Sequence, residues 1–517
     1  MTSFFSHLSP IPSFPAYTGP YKVGTQDFEI PVAELPSPTS APDPSISTVS
    51  FRIFYPCEPE KHKKPVYWLP APQSQYFRAY ARFLNASHKL ATFLSYLPIL
   101  RTIFYTTIPA IRDAKIAPLS KGLERWPVMV FSHGLGGSRN AYSHITGSLA
   151  SHGMVVVAPE HRDGSAPISF IHDPKISTPR AVDYLSLPYS ATPEVERKRN
   201  GGLKIRLWEL GLIHDALLKL DNGDKFSITA PDCHHDASDD QPFKDLLDIH
   251  DPGKISWAGH SFGASTVIQF LKSVYYPPPP HLNPQDLLYT PPSNSTLKHQ
   301  ITPSSPLILL DVWSAPLQFP SNAYLLAHPL PAYQSPDGSA PLAILSEAFY
   351  KWKSNFNDTK AAISPPPQHT NTATIKPNIF YPISSAHLSQ SDFGPLFPFL
   401  TRKVFKAEDP ERTMRLNVRA ILESLRRSGI KVADSSAADM EIRMPEMDVS
   451  GAKQLEQKQM FPLSQDYLIL AEEGGVKGWV RVPLDEGEGD GVVGANGHAI
   501  EARGEGEAVM EGEVMKG

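Results

Sequence analysis

The sequence predicts an α/β fold, a mostly parallel central sheet flanked by helices, and three stretches carry that reading. The first, from Trp126 to Gly164, runs as a buried strand, a glycine loop, a helix and a second strand. That is a βαβ unit, whose parallel strands need helices on both faces. The second, KISWAGHSFGASTVIQFLKS from Lys254, repeats strand, sharp turn and helix. The third, PLILLDVWSAPL from Pro306, is an apolar strand that ends on Asp311. A carboxylate there lies at the carboxyl edge of the sheet, where open α/β sheets bind their ligands.

In chain order, Tyr21 to Pro56 alternates with β-branched and aromatic residues at period two and predicts two or three antiparallel strands. Gln75 to Ala117 reads as helical, with Tyr76, Tyr80, Phe83 and Leu84 and then Leu90, Phe93, Leu94 and Leu97 at three-to-four spacing. Strands follow at Val128 to Phe131 and Met154 to Ala158, around a helix from Ala141 to Ser151. Arg199 to Leu220 is a helix with Leu203, Leu207, Leu210, Ile213, Leu217 and Leu220 on one face. Ile255 to Ala258 is a strand and Ala264 to Lys272 a helix. Prolines crowd 276–306, and because proline lacks the N–H donor this segment reads as an exposed inserted loop. A last strand is expected from Asn378 to Ile383, and Asp409-Pro410 caps a helix that runs to Arg427. The organisation expected is a catalytic domain over 20–430, an extension over 431–484 and a disordered, acidic, glycine-rich tail over 485–517.

Composition narrows the function classes. The chain has 517 residues and a formal charge of −5 without a basic stripe, which sets nucleic acid aside as a partner. Its 53 prolines are twice the roughly 5% of an average chain, so much of it is loop. Cys57 and Cys233 are the only cysteines, too few for a disulfide framework. A reducing, cytoplasmic setting is expected, with a single bridge left open. The N-terminus shows no signal peptide, and Thr2 stands where myristoylation needs glycine. Leu90 to Ile111 is apolar but broken by Pro98, Arg101 and Pro109, so it reads as interfacial or buried, not as a transmembrane helix.

The chemistry centres on Gly259-His260-Ser261-Phe262-Gly263, a G-x-S-x-G pattern between a strand and a helix. Glycines two positions either side relieve the crowding around a serine on a strained turn, although a structural turn gives the same pattern. A serine nucleophile needs a histidine base and a carboxylate that fixes the tautomer of that base. Downstream, Asp311 is the candidate carboxylate, against a simple cap or turn role. Of His328, His369 and His387, the last follows a strand within the turn SSAH and is the candidate base. The oxyanion needs two backbone N–H groups, and Phe262 and Leu135 in SHGLGG are the candidates. The glycine loop otherwise serves close packing or a phosphate, but it lacks the lysine and the spacing of a nucleotide site. Glu160 to Gly164 (EHRDG) reads as a buried ion-pair network bracing the site, and CHHDASDD from Cys233 as a solvated acidic loop, not a metal site. No metal or cofactor is implied.

Together, VFSHGLGGSRNAYSHITGSLASHGMVVVAPEHRDGSA, ISWAGHSFGAST, LILLDVWSAPL and ISSAHLSQSDF resemble the platelet-activating factor acetylhydrolase family, the group VII phospholipases A2, from about Pro20 to Arg427. The resemblance implies an α/β-hydrolase fold, Ser261, Asp311 and His387 as catalytic triad, and Leu135 and Phe262 as oxyanion donors. It implies calcium-independent hydrolysis of the sn-2 ester of phospholipids with a short or oxidised acyl group, the 1-alkyl-2-acetylglycerophosphocholine esterase reaction. It also implies peripheral membrane contact through Tyr76 to Ile111. The same triad suits a general carboxylesterase or a cutinase-like polyester hydrolase, and an inactive lipid-binding scaffold would keep the fold without the chemistry.

Overall fold

The computed structural model describes residues 11–484 apart from 37–38, 61–63, 98–99, 189–191, 230–240, 366–374, 437–464 and 472–475. His369, the CHHDASDD cluster with Cys233, and the expected disordered tail over 485–517 lie outside the described residues.

Two long strands open the fold, β1 (Lys22–Pro31) and β2 (Thr48–Cys57), paired antiparallel from Lys22 against Cys57 to Pro31 against Thr48. β3 (Pro65–Tyr67) precedes two helices, α1 (Gln73–Phe83) and α2 (His88–Leu94). The expected helical character stops there. After a 3-10 segment at Leu100–Tyr105, Thr107–Arg112 forms β4, parallel to β1 and antiparallel to β3. Its alternation of Ile108, Ala110 and Arg112 suits a pleated strand better than a helix face.

The middle of the sheet is built by β5 (Trp126–Ser132), β6 (Val155–Pro159), β10 (Ser256–His260), β11 (Leu307–Leu310), β12 (Leu342–Ile344) and β13 (Asn378–Pro382). They lie side by side in the order β13, β12, β11, β10, β5, β6, all parallel, and β2, β1, β4 and β3 continue the sheet beyond β6. A small hairpin, β7 (Ile168–Ile171) and β8 (Arg180–Asp183), stands apart, and β9 (Leu247–Asp248) pairs only with the start of β5. The far edge is closed by β14 (Trp479–Arg481), antiparallel to β13, where Trp479 stacks on Phe380 at 5.4 Å.

Because side chains alternate across a strand, each central strand feeds two cores. Val128, Val130, Val155, Val157, Trp257 and Leu309 point to one face, beneath α4 (Pro193–Asn222) and α5 (Phe262–Tyr275). Met129, Phe131, Val156, Ala258, Ile308 and Leu310 point to the other, beneath α3 (Ser143–Ser151) and α6 (Pro410–Arg427). This is the layered α/β architecture the motifs predicted.

The proline-rich segment 276–306 departs from the expected exposed loop. It buries Leu287, Leu288, Leu297 and Ile301, and the Gln300 amide receives Ile255 N–H at 3.1 Å and donates to Ile249 O at 2.8 Å. Proline keeps the backbone out of the sheet but does not stop the intervening leucines from packing beside it.

Candidate active site

The strand register brings the motifs to one edge. His260 is paired with Leu310, Leu310 with Ile344 and Ile344 with Phe380, so Ser261 and Asp311 each fall one residue past an aligned row. Neighbouring strands are about 4.8 Å apart, so the backbones of the two residues are neighbours. Ser261 N–H donates to Leu310 O at 2.9 Å, and Asp311 N–H to Ile344 O at 2.9 Å.

Ser261 has φ 56° and ψ −119°, outside the ordinary regions for a residue with a Cβ. A Cβ on Gly259 would come within 2.4 Å of Gly263 O, and one on Gly263 within 2.0 Å of Ser132 O. The G-x-S-x-G glycines are therefore imposed by close backbone approach on both sides of the serine.

Asp311 is fully buried. Its Oδ1 accepts Ser346 N–H at 2.5 Å, and its Oδ2 lies 2.9 Å from His387 Nδ1. The His387 ring stacks on Phe349 at 4.3 Å and 8° and lies tilted by 30° against His260 at 4.3 Å. The stacked Phe349 and the tilted His260 ring flank the imidazole and fix its plane. Burial, and after it the neighbouring His387, hold the His260 imidazole well below its ordinary pKa, so it is neutral beside His387. Tyr142 Oη joins His260 Nδ1 at 2.8 Å to Gly134 N–H at 3.2 Å.

Among the described residues Ser261 Oγ makes no hydrogen bond to His387. Such contacts are often long without substrate and tighten in the reacting complex. Phe262 is the first residue of α5, and Leu135 lies in the loop after β5. Neither N–H has a backbone partner among the described residues outside regular helix and strand bonding. A Cβ at Gly134 would stand 2.9 Å from Ser261 Cβ, which shows how closely that loop approaches the serine. Of the other candidate histidines, His328 stacks on Tyr276 at 4.2 Å, away from this cluster.

His260, Asp311 and His387 offer ligand atoms within 4.8 Å of one another, a spacing a metal ion could bridge. Both Asp311 oxygens, however, already face N–H groups, those of His387 and Ser346. The donor set therefore suits a hydrogen-bonded acid–base pair better than a cation. A recess of about 450 Å³ has Trp313 and Trp352 in its walls, without any of the cluster's own residues. Trp313 packs 5.8 Å from Phe262, and Trp352 packs 5.5 Å from Phe349.

Behind the glycine loop, the EHRDG segment forms the ion-pair network expected of it. Arg206 meets Asp163 at 2.8 Å, and His161 links Ser132 Oγ at 2.9 Å to Glu209 at 2.7 Å. Burial pushes the Glu209 carboxyl up to about 8 and drives His161 well down, which favours a neutral pair. The sequence reading missed Ser346, Phe349, Tyr142 and Arg206. Only Arg206 left a trace, a cation on the leucine-lined stretch of α4.

The family profile described as "Platelet-activating factor acetylhydrolase, isoform II" matches residues 7–443. A protein of Schizosaccharomyces pombe named "Putative phospholipase A2" is 27% identical over 455 residues, 81% of this chain and 92% of its own length. The "Platelet-activating factor acetylhydrolase" of Canis lupus familiaris is 30% identical over 233 residues, 43% of this chain and 46% of its own. The match to the vertebrate enzyme thus spans about half its length. A solved ferulic acid esterase from Streptomyces cinnamoneus superposes with a TM-score of 0.43 at 14% identity, over 80% of this chain and 92% of its own, too loose a likeness to bear on function.

Proposed function

The chain belongs to the platelet-activating factor acetylhydrolase isoform II family, and from that premise we propose that it hydrolyses the sn-2 ester of phospholipids carrying a short or oxidised acyl group. His387 takes the proton of Ser261, and the serine oxygen adds to the acyl carbonyl. The N–H groups of Leu135 and Phe262 receive the oxyanion, and Asp311 holds His387 in the tautomer whose Nε2 accepts. His387 then protonates the departing glycerol oxygen, and water repeats the sequence to free the acid. The carrying observation is a positive-φ Ser261 at the end of β10, next to a buried Asp311 at the end of β11 whose carboxylate is bonded to His387, which follows β13 at the same edge of the parallel sheet.

Peripheral contact with a lipid surface belongs to the same proposal. Leu84, Leu90, Phe93, Tyr96 and Tyr105 are all exposed, Phe93 by 60%. Contiguous exposed apolar patches mark interaction surfaces, and these residues fall within one stretch, 84–105. No helix of the described residues is long and apolar enough to cross a membrane. Phe83, at the end of α1, packs against the glycine loop after β5: a Cβ on Gly136 would lie 2.5 Å from its ring. A reducing, cytoplasmic setting is part of the same proposal; among the described residues Cys57 is a buried free thiol that burial pushes up to about 12.

Ser261→Ala is the test of the chemistry, assayed on an sn-2 acetyl phospholipid and on soluble 4-nitrophenyl acetate. Loss of both activities and of fluorophosphonate labelling is expected, and undiminished hydrolysis of both would overturn the assignment. Phe93→Asp tests the lipid surface. It is expected to weaken vesicle co-sedimentation and phospholipid hydrolysis while sparing the soluble ester, and unchanged co-sedimentation counts against this lipid contact.

A further inference from the structure

We propose that Arg206 is the positioning residue of the oxyanion pocket, one guanidinium that fixes both segments supplying its N–H groups. The inference rests on the assignment of Leu135 and Phe262 as those donors. Arg206 projects from α4 and its side chain is completely buried. Nη1 donates to His133 O at 2.8 Å, two residues before Leu135. Nη2 donates to Ser165 Oγ at 2.5 Å, and Ser165 O in turn accepts Gly136 N–H at 2.8 Å, one residue after Leu135. The loop that carries the first donor is therefore held on both sides. Cζ lies 4.6 Å from the centroid of the Phe262 ring, the side chain of the second donor.

Asp163 supports the cation from behind, accepting Nε at 2.8 Å and receiving Ser165 N–H and Oγ–H at 3.1 and 2.5 Å. The pair is buried together, so neither charge stands uncompensated. Only a planar fork reaches a carboxylate, a carbonyl and a hydroxyl at once while keeping a face against an aromatic ring; an ammonium on a flexible stem makes one such contact at a time. Arg206 touches no reacting atom. Its work is to hold two N–H groups to a common point, and misplacement by about 1 Å costs on the order of 100-fold in rate.

The test uses the full chain and separates substrate binding from oxyanion stabilisation. Arg206→Lys keeps the charge against Asp163 and loses the fork. Ser165→Ala leaves the Arg206–Asp163 pair intact and loosens one side of the loop, so it serves if the lysine variant folds poorly. The readouts are kcat and KM on 4-nitrophenyl acetate, and inhibition by an alkyl trifluoromethyl ketone. In the ketone adduct Ser261 Oγ bonds to the carbonyl carbon, its proton passes to His387, and the carbonyl oxygen becomes an anion in the pocket. For Arg206→Lys a kcat loss of about 10- to 100-fold is expected with KM within about 2-fold, and ketone affinity should fall by the same factor as kcat/KM, as it does when an interaction is made only to the transition state. Ser165→Ala should show the same pattern at a smaller amplitude. Unchanged kcat, or a kcat loss with undiminished ketone affinity, overturns the role of Arg206 alone. A wild-type chain that the ketone does not inhibit, or whose activity survives Ser261→Ala, overturns the underlying site assignment along with it.

Discussion

Asp311→Asn isolates the role of the buried carboxylate, because the replacement is isosteric and the two hydrogen bonds of Asp311 constrain how the amide can sit. Ser346 N–H donates to Oδ1 at 2.5 Å and is fixed in the backbone at the start of a helix. The amide oxygen must therefore stay on Ser346, because the alternative sets two donors against each other in a fully buried place, at a cost of about 1–3 kcal/mol. The amide nitrogen then faces His387 Nδ1, which sits 2.9 Å from Oδ2 in the native protein. Facing a donor, Nδ1 must accept, and the imidazole proton moves to Nε2. A protonated Nε2 cannot take the proton of Ser261. A loss of about 10⁴-fold in kcat follows, the size seen when the wrong tautomer is imposed on a serine triad. At 1.36 kcal/mol per tenfold this is about 5 kcal/mol of transition-state stabilisation. KM on 4-nitrophenyl acetate should hardly move, and circular dichroism should report an unchanged fold. A folded variant that keeps more than about a tenth of wild-type kcat would refute the tautomer argument, since that argument calls for a loss of about 10⁴.

Two further outcomes follow from the structure. Gly263→Ala places a Cβ 2.0 Å from Ser132 O, where backbone meets backbone and neither side can give way, so loss of about 3 kcal/mol or failure to fold is expected in thermal melting; an unshifted melting temperature would contradict the close approach. Burial works against ionisation of Asp27, but Arg52 and Arg139 outweigh it and hold the carboxyl at about 2 against an ordinary 3.8. The folded pKa is thus below the unfolded one, so the stabilisation, about 2 kcal/mol, is complete above pH ~4 and disappears as the pH falls towards 2. Acid titration of wild type and Asp27→Asn should show the slope between those limits reduced in the variant, and parallel curves would count against the pairing with Arg52.

What could be read from the sequence was local. Ser261, Asp311 and His387 each follow an apolar strand, and a strand followed by a turn is written in consecutive residues. That Ser261 and Asp311 fall side by side and that His387 reaches Asp311 depends on register, which no stretch of sequence states, yet a parallel sheet with its turns on one edge leaves them few other places to be. The residues that orient them are different. Phe349 follows β12, a strand of three residues too short to show a period, and Ser346 acts through its backbone N–H, which has no signature. Tyr142 meets His260 across 118 positions. The misreading of Thr107–Arg112 as helix has the same origin: an apolar segment near a proline carries both periods weakly, and pairing with β1 decides between them.

The placement of strain explains why the site sits one residue beyond the sheet. Of the eight described non-glycine residues with positive φ, three are Ser261, Asp311 and Ser384. Each such conformation costs on the order of 1–3 kcal/mol and persists only where its surroundings fix it. Here the fixing groups are the last rungs of the ladder: Ser261 N–H to Leu310 O, Asp311 N–H to Ile344 O and Leu345 N–H to Phe380 O. At Ser384, where the ladder has ended, the Glu347 carboxylate receives the N–H at 2.5 Å instead. The parallel sheet thus holds rigid what the turns distort. Ser261 at positive φ has its side chain thrown clear of β10, and Asp311 is turned out of the neighbouring β11 by the same device, while His387 comes three residues after the positive-φ Ser384 that follows β13.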